Sequence, residues 1–551
     1  MRKFAYYIPI ILCIITLLAG VLRIYGLSDY PTGFHIDEAS LGYNGYSMLK
    51  TGKDEHGNRF PLYIDMFGDN RPSGYHYLTI IPIAVFGLNE FATRLPGALF
   101  GTISIIAFFF LVRVISKNDK ISILASLLLA ISPWHVVSSR ASAEAIVALF
   151  FIMTGVTSIV HSFDSKKIRF LALGCFLVTM SFFFYHTPRV FVPLLLIGIA
   201  LVNFNDLKKY SLNFKISGIM CFLAVSLVSF LLVFIIKGGT GRFTQVSIFG
   251  FPETRLVMEE QIREDGTKKL TPIVSRSFHN KITNYSLTFV TNYLDYFSGK
   301  FLFMSGGQPR WYRVPGMGML YLFELPFIVF GFIYVAVKQS RYLKMILMWL
   351  IAAPLVASVT VDDIPNIQRV MVMFPMLEIL ASIGIVMLLS RWKGLMRHAY
   401  IIMVCIGMCG NMAYFMHQYV IHGSTHETIF RFNGFKEMVL EVRKVYDQFD
   451  TIIVTKTLGG IYPHVLFFMD YDPILYQKEG SPKDKNYKGF GKFIFTPQSC
   501  PSVNGDDNLP TTGRILYVNS ETCKIPPLVT QKRIYREDGS TAFILVYPQD
   551  Y

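Results

Sequence analysis

Residues 7–27 read YIPIILCIITLLAGVLRIYGL, and shortly after them the chain reads His35-Ile36-Asp37-Glu38-Ala39-Ser40-Leu41-Gly42-Tyr43. An apolar run of that length reads as a bilayer span. It is too long for the apolar core of a signal peptide and lacks a convincing cleavage site, so it is read as the first span. Working outward, similar runs recur at roughly 94–116, 121–138, 142–161, 168–186, 189–204, 216–236, 317–337, 342–360, 367–389 and 398–420, eleven in all, the third, fourth and sixth being short. The chain of 551 residues is 52% hydrophobic and 16% charged, whereas soluble domains carry about 25% charged residues.

The net charge of +15 is distributed as a topology signal, not as a nucleic-acid footprint. Every second connection is basic: Arg2 and Lys3; Arg113, Lys117 and Lys120; Lys166, Lys167 and Arg169; Lys208, Lys209 and Lys215; Lys338, Arg341 and Lys344; Arg391, Lys393 and Arg397. The short connections between them carry single arginines, Arg140, Arg189 and Arg369. The pattern predicts a cytoplasmic N-terminus, an odd number of spans and an extracytoplasmic C-terminus in a plasma membrane.

Two outer loops are long, 28–93 and 237–316. The first contains the apolar stretch Tyr75–Leu88, short for a span and suited to an interfacial or re-entrant helix. From 423 to 551 the composition becomes that of a small soluble α/β domain, against a membrane domain of 1–422. Phe435–Tyr446 reads as an amphipathic helix, Thr451–Thr455 as a buried strand, and Asp538-Gly539 as the turn of a hairpin between Arg533–Tyr535 and Ala542–Tyr547. Ser481–Lys488 reads as a loop. Cys13, Cys175, Cys221, Cys405 and Cys409 lie in apolar runs and read as small core residues; Cys500 and Cys523 lie in the polar region, where their pairing is left open.

Polar residues at membrane depth are costly and mark sites. Asp37 and Glu38 open an expected helix where the chain leaves the bilayer. Acids are also favoured there by the helix dipole alone, but a partly desolvated carboxylate at that position suits a general base. In Gly68-Asp69-Asn70-Arg71-Pro72-Ser73-Gly74-Tyr75, Arg71 suits either a phosphate or lipid headgroups, and Pro72 suits a first helical position. Arg140 and Glu144 are four residues apart and suit an intrahelical pair. Tyr185-His186-Thr187-Pro188-Arg189 ends the fifth span. Lone arginines on one side of the membrane suit an anionic headgroup. Gly238-Gly239-Thr240-Gly241-Arg242 lacks the ending of a phosphate-binding loop. Gly306-Gly307-Gln308-Pro309-Arg310-Trp311-Tyr312-Arg313 suits sugar stacking and an interfacial belt equally. Neither His279 nor His464 has metal-ligand spacing around it.

Together these segments resemble the GT-C superfamily of membrane glycosyltransferases, and within it the protein O-mannosyltransferase and aminoarabinose transferase group, glycosyltransferase family 39 and its relatives. Asp37-Glu38 resembles the family's acidic pair, Arg71-Pro72-Ser73 its Lys-Pro-Pro element, and Glu90-Phe91-Ala92-Thr93-Arg94-Leu95-Pro96 the start of its second span. Ser132-Pro133-Trp134-His135 with Arg140 and Glu144 resembles its third-to-fourth span connection. The resemblance covers roughly residues 10–390. It departs at Arg71, where the family has Lys, and at Ser73, where it has Pro. The second long loop is also too short for the carbohydrate-binding insertion of eukaryotic protein mannosyltransferases, which favours a prokaryotic enzyme.

The resemblance implies a GT-C fold and inverting transfer of a mannose-like hexose, or a related sugar, from a polyprenyl-phosphate donor. The acceptor would be a hydroxyl on a protein, lipid or glycan. Asp37 would be the base and Glu38 its support. Arg71, Tyr75, Arg140, Glu144, Tyr185, His186 and Arg189 would bind substrate. No cofactor is expected, although some superfamily members use a divalent metal. The rival readings are a lipid or sugar transporter or flippase, and an envelope-polysaccharide polymerase or ligase. A transporter would show internal repeats or matching broken spans, and a polymerase would carry its large outer loop late in the chain.

Overall fold

The computed structural model describes residues 2–66, 69–207, 209–236, 246–250, 252–338, 340–479, 487–503, 509–510, 512–525 and 529–548. Gly68, the Gly238–Arg242 segment and most of the expected loop at 481–488 lie outside the described residues. Among the described residues, the α-helices longer than four residues are, in chain order, α1 (Arg2–Ile24), α2 (Ile36–Thr51), α3 (Gly74–Phe86), α4 (Glu90–Ser116), α5 (Asp119–Ile131), α6 (Pro133–Arg140), α7 (Glu144–Ser165), α8 (Ile168–Met180), α9 (Pro188–Val202) and α10 (Leu212–Phe230). They continue with α11 (Pro252–Thr267), α12 (Pro272–Phe278), α13 (Lys281–Asp295), α14 (Leu325–Lys338), α15 (Arg341–Ser358), α16 (Phe374–Arg391), α17 (Gly394–His417), α18 (Phe435–Val445), α19 (Ile461–Phe468) and α20 (Pro473–Glu479).

The chain forms two compact units. The first comprises Met1–Arg23, Leu99–Ser139 and Ala143–Met416. Helical structure stands at each of the eleven expected spans. Among the described residues, six helices are long and apolar enough to cross a membrane: Tyr6–Ile24, Glu90–Ser116, Glu144–Ser165, Leu212–Ile235, Ile367–Arg391 and Gly394–His426. α5 and α6 form a seventh if counted as one span bent by 53°. The break falls at Ser132-Pro133, where proline has no N–H to donate along the helix. Ile168–Phe183, Pro188–Val202 and Leu343–Ser358 are shorter apolar helices.

Large apolar side chains stand exposed along these helices, such as Leu17 (65%), Leu227 (56%) and Ile406 (68%). A surface of that kind is suited to lipid. Cys13, Cys405 and Cys409 are exposed on the same helices, so three of the five cysteines expected in the core are not there. A long apolar run has both inward and outward faces, and its composition does not distinguish them.

The second unit comprises Ile24–Ala98, Arg140–Ser142 and His417–Tyr551. Its C-terminal part is a six-stranded mixed sheet of β3 (Thr451–Thr455), β4 (Gly489–Phe490), β5 (Phe493–Thr496), β6 (Ile515–Ser520), β7 (Gln531–Tyr535) and β8 (Thr541–Val546) in the order β4-β5-β3-β6-β8-β7; β1 and β2 form a separate pair described below. β3 is central and parallel to both β5 and β6. Its Ile452, Ile453 and Val454 are fully buried, as its continuous β-branched run implies. β7 and β8 make the antiparallel hairpin expected around Asp538-Gly539, with Gly539 at φ 80°. Cys500 and Cys523 form a disulfide.

The long first loop belongs to this same unit. Phe34, Ala39 and Tyr43 share one core with Phe435, Val439, Ile461 and Phe467 from the C-terminal part. α2 is buried along most of its length and packs against α3, α19 and α20. At Gly42 a Cβ would lie 2.4 Å from the Phe467 ring and 2.5 Å from Thr93 Oγ1, so glycine lets α2 approach both neighbours.

Candidate functional site

α2 begins with a capping box. His35 Nδ1 accepts from Asp37 N (3.1 Å), and Glu38 Oε2 accepts from His35 N (3.2 Å). A histidine nitrogen that accepts carries no proton, and burial keeps the His35 pKa below its ordinary value. The preceding turn is held to the C-terminal part of the same unit. Gly33 takes φ 76°, and a Cβ there would lie 2.3 Å from Arg431 O. His464 Nε2 lies 2.7 Å from Phe34 O.

The two carboxylates part company here. Glu38 is 3% exposed and held by Arg94 in bidentate fashion, Nε to Oε1 at 2.8 Å and Nη2 to Oε2 at 3.0 Å. Ser142 Oγ also donates to Oε1 (3.1 Å). Arg94 is 0% exposed and donates further to the carbonyls of Leu27, Ser28 and Gly33. Asp37 is partly exposed, with its side chain at 17%, and Arg71 Nη1 lies 2.8 Å from its Oδ2.

Arg71 is delivered by a short hairpin that the sequence does not announce. β2 (Asp69–Pro72) pairs antiparallel with β1 (Tyr63–Met66), Ile64 opposite Arg71. Pro72 therefore ends a strand and is not a first helical residue. α3 starts at Gly74, after Ser73 Oγ donates to Pro61 O (2.6 Å). Arg71 Nε also lies 3.2 Å from Asp69 Oδ2, so one guanidinium stands between two carboxylates.

Tyr75 is buried, its hydroxyl donating to Thr93 O (3.2 Å) and accepting from Gly97 N (3.0 Å). Arg140 belongs to this unit too, but its guanidinium donates to the carbonyls of Tyr25 (2.8 Å), Gly26 (2.9 Å) and Tyr30 (3.0 Å). α6 ends at Arg140 and α7 begins at Glu144, so these two do not share the continuous helix that an i,i+4 relation needs. Glu144, Tyr185, His186 and Arg189 fall in the first unit. There Arg189 is buried, donates to Phe182 O and lies 3.1 Å from His186 Nδ1, while Tyr185 and Arg369 line a small cavity. Asp37 and Arg71 are thus brought together. Arg94, Ser142 and His35 are partners that the sequence reading passed over. Arg94 carried a signal, a lone cation in the first turn of an apolar span, which needs a buried counter-charge.

A second buried carboxyl lies nearby in this unit. Glu55 is 2% exposed and accepts from Asn44 Nδ2 (3.1 Å). Burial pushes its pKa above the ordinary range, with His56 and the Asn44 and Tyr462 contacts opposing. A carboxyl raised on folding adds stability below its unfolded value of about 4.3, and that contribution is lost as pH rises through the folded value. Glu55→Gln is therefore expected to flatten the fall in melting temperature between weakly acidic and neutral pH, as read by thermal unfolding of the full chain. An unchanged pH profile would show that Glu55 is not the group responsible.

Among the described residues no group of three or more His, Cys, Asp or Glu side chains is placed to hold a metal ion. The acidic pair is a poor fit for a divalent ion on its own chemistry, since Arg94 engages both Glu38 oxygens and Arg71 engages Asp37.

The family model for dolichyl-phosphate-mannose-protein mannosyltransferase matches residues 13–238. No curated protein matches the sequence. Among solved structures, the oligosaccharyltransferase AglB from the archaeon Archaeoglobus fulgidus, in complex with an inhibitory peptide and a dolichol-phosphate, aligns with 85% of this chain at 12% identity and a TM-score of 0.54. The match covers 64% of that chain. ArnT from Cupriavidus metallidurans aligns over 99% of this chain and 98% of its own. Identity is 12% in the apo state and 11% bound to undecaprenyl phosphate, with a TM-score of 0.53 for each. An Archaeoglobus fulgidus oligosaccharyltransferase in complex with Zn and sulfate aligns at a TM-score of 0.52, 13% identity, 83% of this chain and 61% of that one.

Proposed function

We infer that this chain is a GT-C glycosyltransferase moving a sugar from a polyprenyl-phosphate donor to an acceptor hydroxyl on the outer face of the membrane, a reading supported by the mannosyltransferase family model over residues 13–238 and by the likeness of fold to ArnT. The observation that carries the reading is the division of labour in the acidic pair. Glu38 is held by Arg94, and Asp37 is partly exposed beside Arg71.

The chemistry follows from those two side chains. The acceptor oxygen attacks the anomeric carbon and its proton passes to an Asp37 carboxylate oxygen. The new C–O bond forms as the bond to phosphate breaks, with inversion, and polyprenyl phosphate departs with the electron pair. A phosphate leaving group needs charge stabilisation more than protonation, so one base and one cation suffice. Arg71 can offer a planar, charged donor set to the phosphate. As it turns to the phosphate, Asp37 loses its counter-charge and becomes more basic. Donor binding and activation of the base are then coupled.

Two features support an outer location. The 34–43 segment and the C-terminal sheet share a core, so both lie on one side of the membrane. The Cys500–Cys523 disulfide belongs to the same unit and suits an oxidising compartment. The sugar is proposed to be a mannose-like hexose or a related sugar, and the acceptor a protein, lipid or glycan.

The reading is tested by giving the purified protein a panel of polyprenyl-phosphate sugars with an acceptor extract and measuring release of polyprenyl phosphate. Arg71→Ala is expected to lower kcat/KM for the donor about 10- to 100-fold, corresponding to one charged hydrogen-bonding partner, while Arg71→Lys recovers part of it. Movement of the lipid across proteoliposomes without any phosphate release would overturn the reading in favour of a flippase.

A further inference from the structure

The connection between α10 and α14 carries three helices that the proposed reaction does not use. α13 is fixed to the end of α15: Asn292 Nδ2 donates to Ser358 O (3.2 Å) and Thr360 O (2.8 Å), and Tyr293 Oη donates to Ile351 O (3.0 Å). Ile351 precedes the last residue of α15 by seven positions, about 10 Å along the axis. Ile351 is itself 58% exposed on an apolar helix. α13 therefore lies along the flank of an apolar helix near its end, a placement that suits an interfacial helix. α11 packs on both α12 and α13, which ties the three together.

Residues 268–282 of this assembly read KKLTPIVSRSFHNKI, with four Lys or Arg and no Asp or Glu. Ile273 (85%), Phe278 (66%) and Ile282 (80%) stand exposed among those cations. Asp265, the acid that reaches this segment, is engaged by Ser275 Oγ (2.7 Å) and lies 3.3 Å from His279 Nε2. The short outer connections carry single arginines, Arg140, Arg189 and Arg369, whereas this segment of an outer loop carries four cations in fifteen residues. Exposed apolar side chains interleaved with cations match a surface that is apolar beneath and anionic above.

We propose that residues 268–282 dock onto the bilayer surface, with Ile273, Phe278 and Ile282 in the headgroup–acyl boundary and Lys268, Lys269, Arg276 and Lys281 against anionic phospholipid headgroups. The docking holds the second long loop down beside α15. It does not depend on the proposed reaction.

The test uses the full chain in lipid nanodiscs. Ile273→Trp and Phe278→Trp are compared with the parent by difference fluorescence, with and without lipids carrying a quencher near the headgroup. In phosphatidylglycerol-containing discs the added indoles are expected to emit to the blue and be quenched. Charge reversal at Lys268, Lys269, Arg276 and Lys281 should remove most of the quenching. The substituted positions are exposed, so folding is preserved, and unchanged melting temperature checks this. Water-like emission without quenching would overturn the docking. Equal quenching in phosphatidylcholine discs, unaffected by charge reversal, would overturn the anionic partner.

Discussion

Asp37→Asn is expected to reduce sugar transfer about 10²- to 10⁴-fold, the range for loss of a positioned general base, while leaving the protein folded. The amide keeps the size of the side chain and its place in the first turn of α2, but cannot accept the acceptor's proton. The lost ion pair with Arg71 is partly exposed on both sides, so its contribution to stability is small, about 0–1 kcal/mol. Arg71 retains Asp69 as a neighbour at 3.2 Å. The variant should therefore bind donor near wild-type levels and fail at turnover. Initial rates of polyprenyl phosphate release, measured beside donor binding and thermal unfolding, separate these effects. Activity within tenfold of wild type would remove Asp37 from the role of base.

Arg94→Met carries the larger effect on stability, about 3–5 kcal/mol lost, the usual consequence of stranding a buried charge. Glu38 would retain the Ser142 hydroxyl and the His35 amide in place of a bidentate guanidinium. The carbonyls of Leu27, Ser28 and Gly33 would lose their donor as well. Arg94→Lys should rescue poorly, because an ammonium cannot reproduce the planar fork. Adding Glu38→Gln to Arg94→Met should recover part of the loss by removing the stranded charge. Melting temperatures of the two single variants and the double variant provide the test. If Arg94→Met melts like wild type, Glu38 is not held by this pair and becomes available for chemistry.

The two variants separate roles that adjacent positions conceal. Asp37 and Glu38 follow each other at the start of one helix, and successive helical positions point about 100° apart. One therefore faces Arg94 and the chain leaving α1, and the other faces Arg71. A pair of acids at a helix start gives no indication of which way each will turn, because that depends on where the partners arrive from. Arg94 lies 56 positions away from Glu38 along the chain, and Ser142 104 positions away.

The bilayer spans and the central strand of the C-terminal sheet were legible in the sequence because each is encoded locally. A run of apolar residues such as Tyr7–Leu27 excludes water whatever surrounds it, and Thr451–Thr455 declares a buried strand by its β-branched side chains alone. The helix start at Asp37-Glu38 was legible for the same reason. The β1–β2 hairpin was not, since Asp69–Pro72 has no strand-forming run and is ordered by pairing with Tyr63–Met66. The burial of α2 beneath the C-terminal part was not legible either, since Phe34 and Tyr43 meet Phe467 and Tyr471 only after the intervening chain has folded. What the sequence by itself determined was an apolar multi-helix chain with an acidic pair following its first apolar run and cations clustered in every second connection. Only the tertiary structure decided which acid pairs with Arg94 and which with Arg71, because buried charges choose partners by three-dimensional proximity and leave no trace in local spacing.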